Sequence, residues 1–421
     1  MIIDTIGLLK RDYLKLRVRI TEKVRKKLSF NLNNLTESLA RSLRVNEVSL
    51  RRKLFDRRGY SLKLNELLFL TQKARISKKE AFSGIMDMKI GDNAYWSNFP
   101  MKILIDEKFI EGVGYYIGDG RIKTNRGLST SNTDMETIKF FLYWLKKYFN
   151  ARTKNIKINI FLPRSNFNVS SERRKWSKLL GANINSVKRK YKYKDHHKTQ
   201  IEVLYSRAIT KLLLDKLLPI IKEECLTNKS FAMAYLRGIM AAEGSPKYNA
   251  KCHQRAVHLK MKDKSEVKYV FKLLQFLGLT PSFLFSKQDG EWLVSISGFS
   301  ELKELDKINI FRSHLEKKKK LKKILSNYHH RQAKKGKVRE FYLSKLFEFE
   351  GKYGKYCTAK QLSEYTRRDK TRVINVLRKL QRDELLRGER IMKVGTPFKF
   401  TLTKTGKEFI LKKPLLLYQL Y

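Results

Sequence analysis

The sequence predicts an α+β protein in three parts: a helical N-terminal module, a central region of two repeats that mix helices and strands, and a C-terminal module of three helices and a hairpin. Three observations carry this. Apolar residues recur at helical spacing toward both ends but alternate with polar ones in short central stretches. One apolar helical segment that ends in an acid and a glycine occurs twice. Lys plus Arg outnumber Asp plus Glu by 92 to 40 over 421 residues, a formal net charge of +52.

The length suggests two to four domains. Hydrophobic residues at 42% suffice for several cores, and 21 Gly and 7 Pro are too few for a disordered or fibrous chain. A charge of this size repels itself unless a polyanion offsets it, so nucleic acid is the expected partner. No apolar run is long enough to span a bilayer, and the first residues lack the order of a signal peptide. Cys225, Cys252 and Cys357 stand singly, giving neither a disulfide framework nor zinc-ligand spacing, and the adjacent Cys252-His253 does not change this. A reducing cytoplasm is expected, with nucleoid association in a prokaryote. The termini, Met1 and Leu420-Tyr421, lack the residues of a protein-splicing domain, so a free-standing protein is expected.

Residues 1–95 form the first module. Thr36 stands as a helix N-cap, followed by Leu39, Ala40 and Leu43 on one face. Arg44-Val45-Asn46 reads as a tight turn. A second helix then places Val48, Leu50 and Leu54 inward and Arg51, Arg52 and Lys53 outward. Helix, turn and basic helix is the order of a helix-turn-helix unit.

Residues 96–330 alternate helices with short period-two stretches. Residues 157–162 and 292–297 read as strands and 267–277 as a helix, the material of antiparallel sheets.

The last module, 331–421, follows a lysine-rich stretch at 317–323. Helices are expected at 338–349, 358–365 and about 370–386, then strands at 391–394 and 398–402 around Gly395-Thr396-Pro397. The third helix carries Lys370, Arg372, Arg378, Lys379 and Arg382 outward over Val373, Ile374, Val376, Leu377 and Leu380. This order resembles the winged-helix domains of archaeal and bacterial regulators.

The repeated segment carries the chemistry. Gly112-Val113-Gly114-Tyr115-Tyr116-Ile117-Gly118-Asp119-Gly120 is matched by Leu236-Arg237-Gly238-Ile239-Met240-Ala241-Ala242-Glu243-Gly244. Gly114 and Gly118, and Gly238 and Ala242, are small residues four apart on one helix face, which lets two backbones approach. Each helix ends in an acid, with a glycine expected to turn left-handed behind it. A carboxylate there faces the negative end of the helix dipole, against stability. Two such acids held together are what a divalent metal requires. The metal would acidify a water and stabilise the leaving oxygen of a phosphodiester.

GYYIGDG and YLRGIMAAEG resemble the paired motifs of the LAGLIDADG homing endonucleases, and after both motifs the flanks read strand, polar turn, amphipathic helix. The resemblance covers about 105–325, with repeats at about 105–225 and 230–325. It implies two pseudo-twofold-related αββαββα repeats whose saddle-shaped antiparallel sheets lie in the major groove of double-stranded DNA. It implies Mg²⁺ or Mn²⁺ held by Asp119 and Glu243, with the backbones of Gly118 and Ala242 as further candidates, and a catalytic Lys262 that stabilises charge or polarises the water. The first repeat offers Asn132 where the second has Lys262, which implies unequal cutting of the two strands. Ala241 replaces the first Asp of the motif at a packing position. DNA contacts are expected from Arg121, Lys123, Arg126, Lys247, Asn249, Lys251, His253, Arg255 and Lys260. Arg51 and Arg52 would add contacts from the first module, and Lys370, Arg372, Arg378 and Lys379 from the last. Two repeats in one chain make a monomer sufficient. Two other functions use the same scaffold: a non-catalytic DNA-binding regulator, which tends to lose the acids, and a maturase that binds intron RNA.

Overall fold

The computed structural model describes the chain except residues 56–60, 92–94, 98, 121–126, 164–166, 190–197, 250–253, 328–336, 355, 367, 391–397 and 412–421. The chain falls into two compact units. One comprises Met1–Ser245, Leu259–Ser295 and Glu304–Lys319; the other comprises Pro246–His258, Ile296–Lys303 and Lys320–Tyr421.

The first 95 residues are not all helical. Strands Leu62–Lys63, Leu16–Ile20, Ile85–Ile90 and Trp96–Ser97 form an antiparallel sheet in that order. Leu16 and Val18 are buried and Arg17 is exposed, the alternation of a strand with one covered face. Helices Thr36–Leu43 and Glu47–Phe55 form as expected, with Arg44 between them in the left-handed region at φ 51°. Two details differ. Leu35, not Thr36, holds the N-cap position, because the Thr36 backbone is already helical (φ −61°, ψ −39°); its buried side chain instead donates from Oγ1 to Glu47 Oε1 at 3.4 Å. Val48 is 57% exposed rather than inward, while Leu50 and Leu54 are buried. This region belongs to the same compact unit as the first repeat. Strand Ile2–Asp4 pairs antiparallel with Lys102–Leu104, and the buried Trp96 donates its ring N–H to Phe149 O at 2.8 Å.

Each repeat follows its motif helix with a four-stranded sheet. In the first, strands Leu128–Asn132, Gln200–Tyr205, Ile156–Leu162 and Ser186–Arg189 lie side by side in that order. In the second, the order is Gly244–Asn249, Gln254–Met261, Glu291–Ser297 and Ser282–Ser286. The first repeat departs from the expected antiparallel pattern: Ser186–Arg189 pairs parallel with Ile156–Leu162. Helix Val169–Leu180 lies between those strands in sequence, and a parallel neighbour requires such a crossover.

The C-terminal helices are Val338–Tyr353, Ala359–Thr366 and Lys370–Arg382, around a three-stranded antiparallel sheet ordered Cys357–Thr358, Phe398–Leu402, Leu386–Arg390. Tyr342, Leu346, Leu362, Val373, Leu377, Leu380 and Phe400 form its core, with Ile374 and Val376 partly buried against it. The strand after the third helix begins at Leu386, ahead of the expected 391–394, which with the 395–397 turn lies outside the described residues. Its early start follows from Leu385 and Leu386, whose side chains are buried in the same core. A further helix, Lys404–Leu411, has no counterpart in the expected order.

Candidate active site

Two helices build the site. Glu107–Asp119 starts on Asp106, whose carboxylate accepts from Phe109 N at 2.8 Å. Lys229–Glu243 starts on Asn228, whose side chain accepts from Phe231 N at 3.2 Å. They pack backbone against backbone. A Cβ at Gly114 would stand 2.3 Å from Tyr235 O, and one at Gly238 would stand 1.9 Å from Glu111 O. A Cβ at Gly118 would meet that of Ala242 at 2.4 Å. The small face read from the repeat is therefore the contact face, and the same packing sets Asp119 beside Glu243.

The glycines behind the acids serve differently from the expectation. Gly120 (φ −74°, ψ 146°) and Gly244 (φ −66°, ψ 140°) are extended, not left-handed. What requires glycine is space: a Cβ would lie 2.2 Å from Tyr116 O at Gly120 and 2.4 Å from Met240 O at Gly244.

Both acids are half-buried. Asp119 Oδ2 accepts a hydrogen bond from Asn132 Nδ2, and Asn132 Oδ1 in turn accepts from Asp134 N at 2.8 Å. The hydroxyls of Tyr115 and Thr130 share a buried hydrogen bond at 3.0 Å. Burial pushes the Asp119 carboxyl above its usual range, against the pull of Lys317 and the hydrogen bonds from Asn132 and Tyr115. Burial, and then the charge of Asp119, push Glu243 up to about 7; Lys317 opposes this and Glu291 adds to it.

Lys317 is the residue that sequence reasoning missed. Its ammonium donates to Ala241 O at 2.6 Å and Ala242 O at 2.7 Å, the last carbonyls of the second motif helix. In sequence it is one lysine of a basic run, and nothing in that run marks it.

The other expected residues divide three ways. Lys262 is exposed at the bend after strand Gln254–Met261. Lys247 and Asn249 are exposed on strand Gly244–Asn249, and Arg51, Arg52, Lys370, Arg372, Arg378 and Lys379 are exposed on their helices. Arg51 pairs with Glu47 at 2.8 Å and Lys260 pairs with Asp289, while Arg255 lies over the Tyr248 ring and donates to Asn327 O at 3.1 Å. Arg121, Lys123, Arg126, Lys251 and His253 lie outside the described residues.

The donor set suits a hard divalent cation. Two carboxylates share one half-buried space, and one of them resists ionisation because of burial and the charge of the other. Among the described residues there is no group of three or more His, Cys, Asp or Glu that could hold a metal. The remaining ligands would be backbone, water or phosphate oxygens. Of the two backbones expected to help, that of Ala242 already accepts from Lys317. Among the described residues no helix is long and apolar enough to cross a membrane.

The site is thus a pair of acids at the ends of two closely packed helices, within a chain of two α+β repeats. No protein-family model matches the chain, and no curated protein does. Among solved structures it is similar to the homing endonuclease I-DmoI in complex with DNA and Mn, at 17% identity and a TM-score of 0.30, covering 48% of this chain and 97% of that one. It is also similar to the N-terminal LAGLIDADG domain of DUF199/WhiA, at 15% identity and a TM-score of 0.31, covering 52% and 90%. Full-length DUF199/WhiA from Thermatoga maritima gives 11% identity and a TM-score of 0.32, covering 68% and 93%.

Proposed function

We propose that this chain is a site-specific endonuclease of the LAGLIDADG type, which hydrolyses phosphodiester bonds of double-stranded DNA with a divalent metal. The supporting observation is the acid pair: Asp119 and Glu243 end two helices packed through Gly114, Gly118 and Gly238, where burial and mutual repulsion push Glu243 up to about 7. A fold gains nothing from two acids at the negative ends of paired helices, whereas a cation site does. Asp119 and Glu243 would hold Mg²⁺ or Mn²⁺, which would acidify a water and neutralise charge on the cleaved phosphate. Asn132 holds the Asp119 carboxylate in place, and Lys317 supplies fixed positive charge beside both acids. The net charge of +52 supplies the attraction to the DNA backbone.

The C-terminal arrangement of three helices and a small antiparallel sheet supports a winged-helix module, with Lys370, Arg372, Arg378 and Lys379 facing solvent on its third helix. At the N-terminus, the helix, turn and basic helix around Arg44 support a helix-turn-helix contact.

The deciding experiment is cleavage of a randomised or genomic DNA library with and without Mg²⁺, beside the Asp119→Asn, Glu243→Gln double variant. Discrete cuts that vanish in the variant support the endonuclease. Selective DNA binding with no metal-dependent cut supports the regulator, a reading favoured by one observation, the Lys317 ammonium on the Ala242 carbonyl.

A further inference from the structure

The chain at 312–317 is fixed onto the first repeat at several points in succession. Arg312 Nε donates to Glu111 Oε1 at 3.1 Å, and its guanidinium forms an ion pair with the same fully buried carboxylate. Thr137 Oγ1 donates to Ser313 O at 3.0 Å. His314 Nδ1 lies 3.6 Å from Asp134 Oδ2, and Lys198 Nζ reaches Glu316 Oε2 at 2.7 Å. The next residue is Lys317, in the first turn of helix Leu315–Ser326. A lysine on a free helix face would spread over many rotamers. This one is delivered to the last carbonyls of the second motif helix, where its ammonium accompanies both acids.

We propose that Lys317 is a tethered counter-ion of the acid pair, a positioning residue that sets how much further positive charge the site accepts. The proposal rests on reading Asp119 and Glu243 as metal ligands. The ammonium bonds the Ala241 and Ala242 carbonyls, so a cation that approached those oxygens would meet a fixed positive charge already held there. It also offsets part of the repulsion between the carboxylates, so the pair holds together without a metal. The site is thereby tuned to weaker metal binding than two acids alone would give. The metal would then be retained chiefly when DNA phosphate adds its own oxygens and charge. Nuclease metal loading would be coupled to target binding through this one side chain.

The test uses the full chain, with Mn²⁺ as the probe. Calorimetric titration at pH 8 without DNA is run on the parent, on Asp119→Asn, and on Lys317→Met, Lys317→Gln and Lys317→Arg, with thermal melting in chelator alongside. Lys317→Met should bind Mn²⁺ roughly tenfold or more tightly, because a unit charge facing a divalent ion is gone, and should melt lower in chelator. Lys317→Gln keeps a donor for the carbonyls and should also bind more tightly, which covers failure of the Met variant to fold. Lys317→Arg should bind as the parent does. A lysine that merely anchored the helix would give the opposite sign, since loosening the site weakens metal. Uncharged variants that bind no tighter than a parent whose binding needs Asp119 overturn the proposal. Absence of Mn²⁺ binding in the parent and in both uncharged Lys317 variants alike overturns the metal reading itself, and the proposal with it; binding that appears only in the uncharged variants supports the proposal.

Discussion

Glu243→Gln should stabilise the metal-free protein at high pH and leave it unchanged at low pH. Glu243 is carried from an ordinary 4.5 up to about 7 by burial, Asp119 and Glu291, net of Lys317. The folded chain therefore holds this proton more tightly than the unfolded chain does. Its contribution is fully present below about pH 4.5 and is lost as pH rises to about 7, so stability falls across that window. At about 1.4 kcal/mol per pH unit of displacement, the ionised form costs roughly 3 kcal/mol at pH 8, or about 2 after partial solvent screening. Glutamine keeps the volume and cannot ionise. Urea unfolding in chelator, followed through the buried Trp96 and Trp144 of the same unit, should show equal stability at pH 4.5 and a variant about 2 kcal/mol more stable at pH 8. Excess Mn²⁺ should reverse the order, because only the parent gains binding energy. Parallel stabilities of parent and variant from pH 4.5 to 8 would refute the claim that burial, with Asp119 beside it, raises the Glu243 carboxyl.

Three further outcomes are expected. Gly238→Ala should cost more than about 3 kcal/mol by overpacking, because its Cβ would fall 1.9 Å from Glu111 O, and it should destabilise the chain far more than Gly351→Ala, where a Cβ meets open space and φ is not positive. Arg312→Met strands the fully buried Glu111 carboxylate and should cost about 3 kcal/mol; the Arg312→Met, Glu111→Gln double variant should recover much of this in a denaturation cycle. Replacing Lys370, Arg372, Arg378 and Lys379 with alanine should weaken DNA binding and flatten the salt slope by about 0.9 for each phosphate no longer neutralised. Deleting 331–421 should do the same, and an unchanged slope on filter binding would remove the C-terminal module from the interface.

The acid pair is legible because it is written twice, and the small residues before it repeat at one helix spacing. The glycines behind it are also legible, but for a reason the sequence does not carry. The left-handed turn is a common use of glycine, whereas the crowding by Tyr116 and Met240 carbonyls exists only once the helices are built. Strand Leu16–Ile20 is legible by pattern, since Leu-Arg-Val-Arg-Ile alternates in a plain period of two, although the helical spacing around it dominates the N-terminal module. Lys317 is not legible at all. Its identity as a site residue comes from Glu111, Thr137, Asp134 and Lys198, which lie far from it in sequence. The helix at 169–180 and its parallel strand are hidden for a related reason. A four-residue strand holds too few positions to show a period, and its pairing with Ile156–Leu162 depends on the crossover.

That crossover also sets an expectation for the order in which the two sheets form. In the second repeat, Ser282–Ser286 and Glu291–Ser297 are joined by residues 287–290 and zip as a local hairpin. Such a hairpin closes in microseconds, with little loop entropy to overcome. In the first, Gln200–Tyr205 must find Leu128–Asn132 and Ile156–Leu162, while Ser186–Arg189 waits on a parallel partner across a helix. Pairings of such sequence separation form slowly. The hairpin of the second repeat is therefore expected to be protected ahead of the sheet of the first, an order that pulse-labelled hydrogen exchange would read directly.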